Sequence, residues 1–197
     1  MGDFEELWKG LSDLPIALLA VVFGCLLLRR KARAWSAIFF LVAVSALFGA
    51  AVHSFAIPAP YLTVLWCGLY VLLFELIRSF THRLTGCITG RRERERRAVR
   101  VIEAALYLAA VLCLLLWDGA DIYMLVLFAV LMTVRVAICL IRHPGAPRRV
   151  KLLMLTLLAA LLFQALKTVI PYGVVLGHVM IAVAECVAYR VGCADVA

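Results

Sequence analysis

The chain has 197 residues, 66% of them hydrophobic and only 16% charged, with a formal net charge of +8. A soluble domain is nearer half apolar, and no water-soluble fold of this length could cover so much apolar surface, so the composition points to a bilayer as the solvent. The basic residues fall mostly in three short blocks, and no soluble segment is long enough to carry a basic binding stripe, which excludes a nucleic-acid reader.

Seven apolar segments follow one another, at about 14–28, 35–55, 60–79, 100–117, 121–141, 150–168 and 173–190. A helix needs roughly 20 residues to cross the hydrocarbon core, so the first segment must borrow flanking residues and the others fit. The first segment follows the acidic "MGDFEELWKG" and runs into "RRKAR" with no small-residue cleavage site, which argues against a cleavable signal. No segment alternates polar and apolar residues as a barrel strand would. The predicted fold is therefore all-α: one domain over 1–197, a bundle of seven transmembrane helices with no internal repeat.

The connections set the orientation. "RRKARAW", the long "RSFTHRLTGCITGRRERERRAVR" and "RHPGAPRRVK" carry the positive charge, whereas "SFAIPAPY", "WDGAD" and "KTVIPYG" hold one lysine and no arginine. The positive-inside rule makes the first set cytoplasmic, which predicts the N-terminus outside and the C-terminus in the cytoplasm. A multi-pass protein of the plasma or inner membrane is expected, with the basic loops touching anionic headgroups of membrane lipids. Seven cysteines are scattered without paired spacing and read as helix fillers.

Ionisable residues inside spans are costly and mark functional sites by default. One group lies toward the outer side: His53, Asp118, Asp121, Gln164, Lys167 and His178. At 1.5 Å per residue, His53 comes about 27 Å along the second helix and His178 about 8 Å into the seventh, so both reach one level from opposite directions. Ser45, Gly49 and Ala50 leave room for another backbone close to His53. A second group lies toward the inner side: Glu75, Arg78, Glu103, Arg135 and Glu185. These read as a paired network neutralising Arg135, and alternatively as a proton path.

Two imidazoles are two of the three ligands a hydrolytic zinc wants, and Asp118 or Asp121 would supply the third, leaving the other as general base. "SALFGAAVHSF" is similar to the second-helix motif of the seven-helix membrane hydrolase superfamily of alkaline ceramidases and progestin/adiponectin receptors, in which a serine precedes a zinc-binding histidine by four residues. "GVVLGHVMIAVAE" resembles the seventh-helix motif, which has two histidines four apart. The resemblance implies His53 and His178 as metal ligands, zinc as cofactor, and a lipid amide or ester as substrate. Gly49 stands at the serine position, Val174 at that of the first seventh-helix histidine, and "PAPYLTVLW" lacks the aspartate of the third helix. The superfamily's site tends to face the cytosol, whereas the charge rule puts this one outside. Two other readings stay open. One is a relative without the metal that binds a lipid or a partner. The other is a haem protein with His53 and His178 as axial ligands. A retinal protein needs a lysine in the last helix, and that helix has none.

Overall fold

The computed structural model describes residues 2–55, 57–90, 101–102, 104–109, 112, 121–165 and 173–195, and among these every regular element is helical. The helices are α1 (Gly2–Arg29), α2 (Arg33–Ser54), α3 (Ala59–Thr89), α4 (described over 101–102 and 104–109), α5 (Asp121–Arg142), α6 (Arg148–Ala165) and α7 (Gly173–Ala194). Among the described residues, four stretches are long and apolar enough to cross a membrane: Gly10–Arg29, Arg33–Ser54, Tyr61–Thr89 and Val175–Ala194. The helices expose large apolar side chains, such as Leu18 (66%), Val64 (68%) and Ile141 (78%). Such a surface suits lipid and would be a liability in water.

Two helices depart from the sequence expectation. α1 begins well before residue 14 and carries Pro15 inside it. Proline lacks the N–H that would bond the carbonyl four residues back and crowds that carbonyl, yet the helix runs through it. α3 continues to Thr89, although residues from Arg78 onward read as loop. Thr81, Leu84, Thr85 and Ile88 are all buried and recur at helical spacing, so this polar-looking stretch is an amphipathic helix. Thr85 and Thr89 return their hydroxyls to the carbonyls of Thr81 and Thr85, at 3.0 and 2.9 Å. Gly90, at φ +63°, ends it in the left-handed conformation glycine tolerates.

The chain forms two compact units, Met1–Leu65 with Pro147–Ala197, and Trp66–Ala146. In the first, α1 packs along α2 and against α7, and α6 packs on α7. The α1–α2 turn is closed by Lys31 N–H on the Leu28 carbonyl (3.0 Å) and Ala32 N–H on the Leu27 carbonyl (2.9 Å), with Lys31 at φ 63°. This is a Schellman motif with lysine in the usual glycine place, and it folds α2 straight back on α1. Beyond it, Ser36 Oγ donates to the Gly24 carbonyl (2.8 Å), Leu27 and Trp35 are buried, and Trp35 Nε1 donates to Asp195 Oδ2 (3.0 Å). Midway along, Ile16, Ala17 and Ala46 form a small core with Val42 and Ile181. The second unit is built on Phe74, Phe128 and Met132, with Ile77, Leu106 and Tyr107 against them.

Candidate functional site

At the end of unit 1 away from the α1–α2 turn, two glycines bring helices close. A Cβ on Gly10 would run into Ser54 Oγ and meet the Ala50 carbonyl at 3.0 Å. A Cβ on Gly49 would lie 2.8 Å from Asp13 Oδ2. The missing side chain at Gly49 is therefore the space that the Asp13 carboxyl occupies.

His178 comes to the same place from α7. Its Nδ1 lies 2.6 Å from Ser12 Oγ and 3.5 Å from Asp13 Oδ1. Both side chains of the His178–Asp13 pair are largely enclosed, at 14% and 12% exposure. His53, one turn beyond Gly49 on the same face of α2, is half-buried and close enough to act electrostatically on His178. The structure thus gathers Ser12, Asp13, His53 and His178 from three helices.

The two oxygens share one ring nitrogen, which decides what the group can do. A Ser-His-Asp triad needs serine and carboxylate on opposite nitrogens of the ring, so this cluster is no serine-nucleophile triad. An ionised carboxylate only accepts hydrogen bonds, whereas a hydroxyl can accept or donate. With the proton on Nδ1, facing both oxygens, the Nε2 lone pair is left for work, the same logic by which second-shell oxygens orient a working imidazole.

The sequence reading named both histidines as candidates and left Ser12 and Asp13 outside the first span. The expected carboxylates were Asp118 and Asp121. Asp118 lies outside the described residues, as do Glu103 and Lys167, and the side chains of Asp121 and Gln164 are also outside them. Among the described residues, no group of three or more His, Cys, Asp or Glu side chains is arranged to hold a metal ion. The carboxyl that reaches His178 does so at the nitrogen Ser12 already holds. Ser12, Asp13, His53 and His178 by themselves do not supply a three-ligand zinc site, and the side chains of the carboxylates expected to complete one lie outside the described residues.

The inner group divides. Glu75 receives Arg78 at 2.9 and 2.7 Å and Ser79 at 2.8 Å. That pairing is local to α3 and, at 37% and 42% exposure, is worth only a few tenths of a kcal/mol. Arg135 is half-buried on α5. Glu185 is buried, and neither carboxyl oxygen has a hydrogen-bond partner among the described residues. Ser45 Oγ, also buried, is in the same condition.

Among the described residues, the fold is all-helical, with four helices fit to cross a membrane and a cluster of polar groups shared by three of them. The chain belongs to the family described as a family of unknown function, DUF6962, whose model matches residues 9–193. No curated protein and no solved structure matches it.

Proposed function

We propose that the protein is a multi-pass integral membrane protein, N-terminus outside and C-terminus cytoplasmic, that hydrolyses a lipid amide or ester at the cluster of Ser12, Asp13, His53 and His178. The observation that carries this reading is the double oxygen hold on His178 Nδ1, which leaves Nε2 as a directed proton acceptor. Nε2 takes a proton from water as the water oxygen attacks the acyl carbonyl carbon, then returns it to the departing nitrogen or oxygen. His53 is the second polar group at hand to hold the carbonyl oxygen. A substrate dissolved in the bilayer suits a site lined by apolar helices, and the similarity of "SALFGAAVHSF" and "GVVLGHVMIAVAE" to hydrolase motifs points the same way.

The test is release of labelled fatty acid from N-acyl and O-acyl lipids by the purified protein in lipid nanodiscs. Release is expected to persist in chelator and to fall about 100-fold or more in His178→Ala. Absence of release from every lipid, or full activity in His178→Ala, would overturn the proposal. Stoichiometric zinc with activity lost on chelation would replace the metal-free chemistry by a metal-dependent one.

The orientation has its own test. With the seven native cysteines replaced, a cysteine at Ala120 is expected to react with an impermeant maleimide from outside intact cells, and one at Arg148 only after permeabilisation. The reverse pattern would invert the topology.

A further inference from the structure

Glu185 is 5% exposed and both its oxygens lack a hydrogen-bond partner among the described residues. Its level in the bundle follows from its neighbours on α7. Ile181 packs on the core of Ile16, Ala17 and Ala46. Tyr189 stacks on Phe23 at 4.7 Å, and Phe23 meets Phe39 edge-on at 5.7 Å. Glu185 is four residues from each, about 6 Å along the axis, and so lies midway along the α1–α2–α7 packing. His178 is seven residues back, two turns away on the same face.

A second stripe runs inward on α2. Gly49 faces Asp13, and Ser45 is one turn further in on that face. Ser45 is 6% exposed, and its hydroxyl is unpartnered among the described residues as well. Its depth falls between the His178 cluster and Glu185. Further along the same packed helices stand the ionisable groups Asp13 on α1, His53 on α2, and His178, Tyr189 and Cys193 on α7 itself. α6 brings the buried Thr156, whose hydroxyl is spent on the Leu153 carbonyl at 2.9 Å.

A carboxylate walled in by apolar side chains needs a cation or a proton to neutralise it. A metal cation of the oxygen-seeking kind wants about six oxygens, and a carboxyl with one hydroxyl nearby falls far short. A proton needs one. We propose that Glu185 is a proton-binding site inside the helix bundle, loaded from the His178 end by way of Ser45. In the transfer, the His178 imidazolium gives up an N–H proton toward Ser45 Oγ, directly or through a water molecule. Ser45 passes its own hydroxyl proton on to a Glu185 oxygen in the same manner. One N–H bond is exchanged for one O–H bond on Glu185, the hydroxyl is regenerated, and the charge moves with the proton with no redox change. This site holds whether or not His178 acts on a lipid.

The experiment is infrared spectroscopy of the full-length protein in a lipid film, following the carboxylic-acid C=O stretch and its shift on transfer to D2O. A band present in the wild type and absent from Glu185→Gln is expected. Its hydrogen exchange should slow at least tenfold in Ser45→Ala and in His178→Gln, and return to the wild-type rate in Ser45→Thr, which keeps a hydroxyl. Unchanged amide bands certify each variant's fold. Absence of the band, or exchange at the wild-type rate in either Ser45→Ala or His178→Gln, overturns the proposal.

Discussion

Trp35→Ala is expected to lower the unfolding free energy by about 3–5 kcal/mol, the largest loss for any single truncation in unit 1. Trp35 is 1% exposed and locks three helices at one end. A Cβ built on Gly192 of α7 would lie 3.0 Å from Trp35 Cγ and 3.1 Å from Leu27 Cδ2, so the indole and the leucine are seated directly on the α7 backbone. The indole N–H also reaches Asp195. Truncation opens a cavity between three helices and removes the indole's hydrogen bond to that carboxylate. Trp35→Phe separates the two effects: it keeps most of the apolar contact and should cost about 1–2 kcal/mol for the lost hydrogen bond. The measurement is unfolding by sodium dodecyl sulfate in mixed micelles, read by far-ultraviolet circular dichroism. A loss below about 1 kcal/mol for Trp35→Ala would show that this contact does not hold the helices together.

Gly49→Val is the second substitution with a large expected effect. Even the first carbon of a side chain would stand 2.8 Å from Asp13 Oδ2, so the carboxyl must leave and the hold on His178 Nδ1 loses one of its two oxygens. Fatty-acid release is expected to fall about 10–100-fold, the usual consequence of removing a group that orients a working imidazole. Overpacking should also cost about 1–3 kcal/mol of stability. Asp13→Ala empties the same space, so the stability cost of Gly49→Val should largely vanish in that background, leaving a coupling energy of about 1–2 kcal/mol. Strictly additive losses in the double variant would show that the two positions do not compete for one volume.

The helical character was legible because apolar length and spacing are written directly in the residues. α2, α5 and α7 begin within about two residues of where hydropathy put them, and ends are always the looser part of such a reading. The second half of α3 escaped because "RSFTHRLTGCIT" looks like a cytoplasmic loop by charge, and its four buried positions show only as a period. Ser12 and Asp13 escaped for a related reason. A span search starts where polar residues stop, and the apolar run begins just after them. Their place became visible only when α1 was seen to pack on Gly49 and α7. The signal that could have found them is the pair Gly10 and Gly49, each a helix position with room for a neighbour's side chain. Glu185 was read as part of a charge network because an acidic residue in a span usually pairs; that its carboxyl is buried with no hydrogen-bond partner among the described residues shows only in the structure.

The hold on His178 joins positions 166 residues apart in the chain. The ribosome therefore delivers Ser12 and Asp13 early and their partner very late. The α1–α2 hairpin, closed by its two-bond turn at Lys31, can form as soon as both helices are made. It must then wait through the synthesis of α3 to α6 with a polar pair uncovered on one flank. During that interval the insertion machinery or a membrane chaperone has to shelter α1. A chain arrested before α7 would carry this uncovered pair as a ready-made mark of incompleteness for membrane quality control to read.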